Sequence, residues 1–316
     1  MIRFLTPVAA LACCTTAAQA QQSVRVLVPF SPGGSVDAIA RVLAEKMSAA
    51  MGTPFVVENR VGAGGAIAAE ALVKSPPDGA TLLMGSASTH GTNSAVYRKL
   101  SYDAVNDFAP ISMVARTPFI LTINASVPAN SVQELIVYAR ANPGKLNYAS
   151  YGSGSSNHLV TELFKSMAGV DLVHVPYKGA GPALLGTVAG EAGVFIDAIQ
   201  NTAGYIKSGK LKLLGVGTLQ RSPLTPETPT IDASGVPGFE AIAFYGLFAP
   251  AKTPRLVIER LHGEVVKALA LPDVRNRLIG LGNEVIGSTP EAFAKAVADE
   301  VAKWQKLVRE KSMQFD

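Results

Sequence analysis

The sequence has 316 residues, of which 48% are hydrophobic and 16% are charged, with 29 glycines and 20 prolines. A chain so apolar and so weakly charged can bury a large core, which excludes an intrinsically disordered protein, and its length fits one large domain or two of moderate size. The formal net charge is only +4 and the sequence has no run of Lys and Arg, so nucleic-acid binding is not predicted.

Residues 1–20 are typical of a secretory signal peptide. Arg3 is the one charge before an apolar run over residues 4–14, and small residues up to Ala20 follow it. The run is too short to span a bilayer, so we expect cleavage, a mature chain that begins near Gln21 and a periplasmic location. Both cysteines lie in this segment, so the mature chain is expected to have no disulfide and no thiol chemistry.

From residue 24 onward, short β-branched segments alternate with helical patterns, which predicts parallel sheets flanked by helices. In a first series the predicted strands are residues 24–28, 55–57 and 81–84, with helices at 35–51 and 65–74. In a second series, helices that begin near residues 131, 156, 182 and 198 alternate with strands at 146–149, 173–175, 194–196 and 211–216. Ser131 and Glu134 form a capping box at the start of the first of these helices.

The last part of the sequence is mainly helical. After an extended segment at 241–249, helices are predicted at 254–270 and 272–281, and a final helix begins at Thr289 and Pro290. Trp304 falls on the apolar face of this final helix, which indicates a packing residue.

Two extended stretches, near residues 120 and 245, predict that the chain crosses twice between two lobes. We expect lobe 1 to comprise residues 21–121 and 246–316, and lobe 2 to comprise residues 122–245. The predicted fold class is therefore α/β, with two lobes that each contain a mostly parallel sheet flanked by helices, joined by two hinge crossings.

Two glycine- and serine-rich loops, residues 29–37 and 150–158, each connect a predicted strand to a predicted helix. Helix N-termini present unpaired N–H groups and a partial positive charge, so each loop is a candidate anion site. Ordinary turns with Ser or Asp caps are the alternative interpretation of both loops. The glycine spacing of nucleotide-binding loops is absent from the sequence.

Candidate catalytic groups are few. No serine in residues 150–158 has the Gly-x-Ser-x-Gly spacing of a nucleophile elbow. The four histidines show no metal-binding spacing, so neither a metal nor a cofactor is predicted. We place His90 in a polar loop and His158 at a helix start, and we interpret His174 and His262 as structural.

Motifs along the whole mature sequence resemble those of the Bug family, the TctC-like substrate-binding proteins of tripartite tricarboxylate transporters. The resemblance rests on the loop that begins at Pro29 and includes Pro-Gly-Gly, on Val-Glu-Asn-Arg at 57–60, and on Tyr-Ala-Ser-Tyr-Gly at 148–152. It continues through His-Val-Pro-Tyr-Lys-Gly at 174–179 and Gly-Leu-Phe-Ala-Pro at 246–250.

The resemblance implies a two-lobed periplasmic receptor that closes on a small carboxylate, without covalent chemistry, and delivers it to a membrane permease. The ligand would be a dicarboxylate, an acidic amino acid or an aromatic acid. We expect a monomer, because a hinged cleft needs no symmetric partner. In the first loop the resemblance places ligand contacts at Phe30, Ser31, Gly33, Gly34 and Asp37. In the second loop it places them at Ser150, Gly152, Ser153, Gly154, Ser155 and His158.

Three further positions complete the expected site. Asp197 matches a family aspartate that faces the cleft, although an N-cap for the following helix is an alternative role. Ser86 and Tyr151 lie where family members differ, and we expect them to shape the distal pocket. Tyr151 could stack on an aromatic acid or merely cover a lobe, and Lys178 could complement an anion or be an exposed loop residue.

Two other functions compete with the transport receptor. An exported hydrolase would use Ser153 or Ser155 with His158, which requires a hydroxyl within hydrogen-bond reach of the imidazole. Alternatively, the receptor would present its ligand to a sensor protein. The sequence alone does not separate a permease partner from a sensor partner.

Overall fold

The computed structural model describes residues 23–313 and Phe315. The predicted signal peptide and the predicted start at Gln21 lie outside the described residues. Among the helices that are described, none is long and apolar enough to cross a membrane.

Most of the described chain is organised as alternating strands and helices, as the sequence pattern predicts. The strands are β1 (Val24–Val28), β2 (Phe55–Asn59), β3 (Thr81–Ser86), β4 (Phe108–Asn124), β5 (Asn147–Ser150), β6 (Val173–Pro176), β7 (Val194–Ala198), β8 (Leu211–Val216), β9 (Ile242–Pro250) and β10 (Glu284–Val285). The helices are α1 (Ser35–Met51), α2 (Ala66–Val73), α3 (Asn93–Val96), α4 (Val132–Ala141), α5 (Ser156–Ala168), α6 (Ala180–Ala189), α7 (Ile199–Lys207), α8 (Arg255–Ala270), α9 (Pro272–Gly280) and α10 (Pro290–Glu310).

The strands form two sheets that share the long strand β4. In the first sheet β2, β1 and β3 are parallel, and β9 joins β3 to the first part of β4 with antiparallel pairing. In the second sheet β6, β5 and β7 are parallel, and β7 and β8 both pair antiparallel with the end of β4. The predicted parallel pairing therefore holds for β1–β3 and β5–β7, whereas β8, which also follows a helix, and the connecting strands β4 and β9 pair antiparallel.

The chain passes between the sheets at one closely packed point. Pro118 pairs with Ile242 in the first sheet, and the next residue, Phe119, pairs with Ala198 in the second. The Gly217 N–H donates to the Phe119 carbonyl at 2.7 Å, and the Ala241 N–H donates to the Gly217 carbonyl at 2.7 Å. These crossings lie close to the expected boundaries between the lobes, after residues 121 and 245. The exact lobe boundaries stay predictions.

Helix α10 packs on both lobes. Its residues Phe293 and Val297 belong to a core cluster of the first lobe, and Trp304 and Leu307 belong to the core cluster of the second lobe. Trp304 is 2% exposed, which confirms its predicted packing role. The predicted helix start is also confirmed, because the Thr289 hydroxyl accepts a hydrogen bond from the Ala292 N–H.

Two segments differ from the sequence prediction. Strand β4 begins at Phe108 rather than near residue 119, because Pro110, Pro118 and two register shifts interrupt the alternation that would reveal a strand. Residues Ser88–Thr92 form a π-helical turn that leads into α3. His90 lies in this turn and is fully buried, so the expectation of a polar loop was wrong there.

Candidate functional site

A cavity of about 250 Å³ lies between the two lobes. The first lobe contributes Ser35 and Val36 at the start of α1 and Ser86 at the end of β3, and the second lobe contributes Ser156 at the start of α5 and Asp197 at the end of β7. Both lobes therefore present strand ends and helix starts to the same space, which is where α/β proteins commonly bind ligands.

Three helices begin at this cavity. Helix α1 has 17 residues, α5 has 13 and α7 has 9, and the first turn of each contributes lining residues. Their first N–H groups have no partner within the helix and carry partial positive charge. Because the helices come from different lobes, the cavity combines donors from both sides.

Apart from Asp197 and Glu300, the remaining wall is neutral or apolar. Neutral polar groups come from Ser88, Thr92, Gln200 and Asn201. The carbon-rich side chains of the wall are Phe30, Val36, Ala87, Phe119, Tyr151, Val160, Ala198, Ile242, Ala243, Tyr245 and Trp304. No Lys, Arg or His is among the described residues that line this cavity. The cavity can therefore hold a small ligand by hydrogen bonds and apolar contact, without a direct cation clamp.

Asp197 is the most deeply buried acidic group of the cavity wall, at 1% exposure. Its Oδ1 accepts hydrogen bonds from the Tyr151 hydroxyl and, at 2.7 Å, from the Ala198 N–H, and its Oδ2 accepts one from Asn201 Nδ2 at 2.9 Å. Burial raises the pKa of Asp197 to about 7, although the bonds from Asn201 and Ala198 oppose the shift. Ala198, rather than Asp197, occupies the N-cap position of α7.

Glu300 of α10 is a second buried carboxylate in the cavity wall, and no predicted site residue corresponds to it. Its Oε1 accepts from Trp304 Nε1 at 2.6 Å, and its Oε2 lies 2.5 Å from Lys303 Nζ. Glu300 falls three residues after Val297 and four before Trp304, on the apolar face of the helix. An acidic residue on that face was the signal that could have identified it.

The first predicted loop only partly reaches the cavity. Phe30 lines it, whereas Ser31, Gly33 and Gly34 are exposed and lie outside its wall. Asp37 is buried and accepts hydrogen bonds from the Gly33 N–H and from Arg41 Nε, both at 2.9 Å. The Arg41 bond is the main cause that lowers the pKa of Asp37 to about 2. In this conformation its carboxylate holds the loop together.

The second predicted loop lies beside the cavity. Tyr151 lines the cavity itself, and its ring is 6.1 Å from that of Phe195. Gly152, Ser153, Gly154 and Ser155 line an adjacent hollow of about 560 Å³. This hollow shares Tyr151, Ser156, Ser88 and Thr92 with the cavity, so the two spaces are neighbours. Lys178 is exposed and lies outside the wall of both.

Ser150 and His158 lie behind the second loop. The Ser150 hydroxyl is 2.5 Å from His174 Nε2, and the His158 ring stacks on the His174 ring at 4.0 Å. His158 Nδ1 accepts the Gly154 N–H at 3.0 Å, and burial lowers the pKa of His158 to about 4. His158 is therefore neutral near pH 7 and supports the loop backbone.

Ser155, one of the two serines of the alternative hydrolase, is bonded within the loop. The Ser155 hydroxyl donates to the Gly152 carbonyl at 2.6 Å and lies 3.0 Å from Asn157 Oδ1. A nucleophile would instead need its hydroxyl beside the imidazole of His158. Among the described residues, no group of three or more His, Cys, Asp or Glu side chains could hold a metal ion.

Comparisons with known proteins agree with this architecture. The model of the tripartite tricarboxylate transporter family receptor matches residues 39–313. A protein from the tcbD-tcbE intergenic region of Pseudomonas sp. strain P51 is 42% identical over 285 residues, which are 90% of this chain and 84% of the relative. BugT of Bordetella pertussis is 35% identical over 288 residues, 91% of this chain and 88% of BugT.

Solved structures show the same fold. Rpa4515 of R. palustris, solved with adipate, has 37% sequence identity and a TM-score of 0.76, over 91% of this chain and 96% of that one. MatC of Rhodopseudomonas palustris, solved with bound malate, has 35% identity and a TM-score of 0.74, over 90% of this chain and 98% of that one. The chain therefore belongs to the tripartite tricarboxylate transporter family of receptors and is a periplasmic solute-binding protein.

Proposed function

We propose that this receptor captures a small carboxylate in the cavity between its lobes and delivers it to a membrane permease of the tripartite tricarboxylate type. The observation that carries the proposal is the convergence of three helix N-termini, from both lobes, on one cavity of about 250 Å³. Relatives with 37% and 35% identity that contain adipate and malate support a carboxylate as the ligand class.

Neutral donors suit a receptor that must release its ligand. N–H groups and hydroxyls are less costly to desolvate in an open cleft than a buried Lys or Arg, and bridging waters let one site accept related acids. Donors on both lobes bind best when the lobes are closed, so ligand shifts the population towards the closed form. The site residues named from the two loops remain part of this proposal.

The proposal also includes export and assembly. We infer that residues 1–20 are a cleaved signal peptide, that the mature receptor is a monomer, and that its partner is a permease rather than a sensor protein. The family description supports a transporter partner. The proposal includes no catalytic step, and the alternative hydrolase would require Ser153 or Ser155 to rearrange towards His158.

A thermal-shift screen tests the proposed function. Mature protein from Gln21 would be unfolded and refolded to remove carried-over ligand, and then screened against dicarboxylates, citrate, acidic amino acids and monocarboxylates. A ligand at a hundredfold excess over its Kd should add about 2.7 kcal/mol to the free energy of unfolding. The absence of a response to every acid would contradict the proposal.

A pair of variants locates the binding site. Ser35→Leu places a bulky side chain in the cavity at the first residue of α1, and should weaken binding of the responding acid at least tenfold. Ser208→Leu makes the same chemical change at an exposed position at the end of α7 and should bind normally. Equal affinity of both variants, measured by calorimetry, would place the ligand elsewhere.

A further inference from the structure

The two acidic residues of the cavity wall differ in how their charge is compensated. Glu300 lies 2.5 Å from Lys303 Nζ and accepts the Trp304 indole N–H at 2.6 Å, so its negative charge is paired with a cation. Within the described part of the chain, Asp197 accepts hydrogen bonds from a tyrosine hydroxyl, a backbone N–H and an asparagine amide, all of them neutral. Asp197 is therefore a carboxyl group of the cavity at 1% exposure whose described partners include no cation.

The elements around Asp197 add no positive side chain to the described wall of the cavity. The other titratable groups that line it are Tyr151 of the second predicted loop, Tyr245 of β9 and Glu300 of α10. Burial raises the pKa of Tyr245, and the Asp197 carboxylate adds to that shift, so the Tyr245 hydroxyl is neutral near pH 7. The described lining side chains from α1, α5 and α7 are uncharged. A bound anion therefore meets no cationic side chain there that would balance an ionised Asp197.

A proton can supply the missing positive charge. Burial favours the neutral form of Asp197 and raises its pKa to about 7, although the bonds from Asn201 and Ala198 oppose the shift. A ligand carboxylate in the same cavity of about 250 Å³ adds a second negative charge close to this group. Like charges at short distance in a low-dielectric site favour protonation of one of them. Protonation of Asp197 thus removes the repulsion that would oppose binding.

From this charge balance we infer that the receptor takes up one proton together with its carboxylate ligand, and that Asp197 holds this proton. The inference rests on the proposed function and adds a second occupant to the same site. Oδ2 is the oxygen suited to the proton, because Oδ1 accepts two hydrogen bonds and Oδ2 accepts one, from Asn201 Nδ2. Once protonated, Oδ2 becomes a donor to a ligand oxygen, or to the Asn201 amide oxygen after that amide turns. The proton comes from solvent and returns to it when the acid is released.

Calorimetry in two buffers measures the proton directly. The heat of binding includes the ionisation enthalpy of the buffer for each proton taken up, so titrations in phosphate and in Tris at pH 8 give the number of protons per bound acid. The probes are adipate, malate and benzoate, which are all ionised at this pH. We expect the refolded wild-type protein to take up about 0.5 to 1 proton per bound acid.

The affinity should also depend on pH. Ionisation of Asp197 above about pH 7 competes with binding of the anion, because the cavity then has to hold both negative charges. For the tightest-binding of the three probes we expect the wild-type Kd to rise at least about tenfold between pH 6.5 and pH 9. The probes are largely ionised throughout this range, so their own titration contributes little.

The variant Asp197→Asn tests the residue. Asparagine keeps an Oδ1 acceptor for Tyr151 and for the Ala198 N–H, and places N–H donors where the protonated Oδ2 would lie. It therefore resembles the protonated residue at every pH. We expect almost no proton uptake at pH 8 and a Kd that changes less than about threefold between pH 6.5 and pH 9. Asp171→Asn, which removes one exposed negative charge from the same lobe, should behave as the wild type.

Each result has a definite meaning. Binding without proton uptake, or with an affinity independent of pH, would overturn the inference while the proposed function stands. Proton uptake that persists in Asp197→Asn would place the proton on another group and would overturn it as well. If none of the three probes binds, the inference fails, and the wider acid screen then decides the proposed function. The wild-type measurements remain decisive even if Asp197→Asn does not fold.

Discussion

Two buried titratable residues, Asp197 and His90, differ in their surroundings. Asp197 lines the cavity and has three hydrogen-bond donors, so it is positioned to face a ligand. His90 is enclosed by aromatic side chains, stacked on Phe248 at 3.7 Å and edge-on to Phe108 at 4.4 Å. Its Nδ1 lies 2.9 Å from the Thr89 hydroxyl, and its Nε2 has no hydrogen-bond partner. His90 is therefore a neutral packing residue.

The burial of His90 predicts a loss of stability in mild acid. Desolvation lowers its pKa from 6.5 to about 3, so the unfolded chain binds a proton between these values and the folded protein does not. The stability due to neutral His90 is thus complete above pH 6.5 and is lost as the pH falls towards 3. Between pH 8 and pH 5 the loss should be about 2 kcal/mol.

Urea unfolding of the wild type and His90→Phe, at both pH values, measures this contribution. The difference between the two proteins isolates His90, because any change from Asp197 is common to both. We expect His90→Phe, which keeps a ring against Phe248, to lose about 2 kcal/mol less than the wild type. The same pH dependence in both proteins would show that His90 is not buried in its neutral form.

Among the structural elements, the paired connections between the lobes bring backbone segments into close contact. Gly217 lies between the two crossing segments, and a Cβ atom at this position would be 2.8 Å from the Ala241 carbonyl oxygen and 3.0 Å from that of Phe119. Both neighbours are backbone atoms whose positions are held by hydrogen bonds across the crossing. Glycine is therefore required here by close approach of the backbone.

Gly217→Ala should destabilise the protein by about 1–3 kcal/mol, because the added methyl group must displace backbone in a packed region. Gly204→Ala is a matched control: Gly204 lies in helix α7 and has no atom within 4 Å of the added Cβ. This control should be neutral or stabilise by about 0.5–1 kcal/mol. Equal effects of the two substitutions in urea unfolding would contradict the close packing of the crossing.

In the whole molecule, Trp304 connects the two lobes, the core and the cavity. Helix α10 packs Phe293 and Val297 in the first lobe and Trp304 in the second, and Trp304 also lines the cavity. Its indole N–H donates to Glu300, another residue of the cavity wall. Trp304 is the single tryptophan of the sequence, so its fluorescence reports on the region between the lobes.

Binding of the proposed carboxylate should change Trp304 fluorescence and saturate at one ligand per chain. The physical reason is that a ligand replaces cavity water near the indole, and lobe closure alters the contacts of α10. A titration of refolded protein with the acid that responds in the thermal-shift screen measures the effect. Binding detected by calorimetry with no change in emission would place the ligand outside this cavity.

Much of the local structure could be predicted from the sequence, because it depends on residues close together in the chain. The capping residue Ser131 accepts from the Glu134 N–H as predicted, and the strands and helices after residue 24 follow their hydrophobic patterns. The first part of β4 could not be predicted in this way. Its prolines and bulges disturb the local pattern, and its pairing with β9 depends on residues more than 100 positions away.

Some residues of the candidate site could likewise be predicted from the sequence, and others could not. Strand ends and helix starts leave local signals that indicated the two glycine-rich loops, and the resemblance to the family indicated Asp197. Only the tertiary structure brought Glu300, Phe119 and Tyr245 to the same cavity, and only it buried His90. The sequence by itself thus determined the order of elements and the family, whereas the tertiary structure decided the charge, volume and wall of the cavity. Those properties arise from contacts between distant segments, which no local pattern encodes.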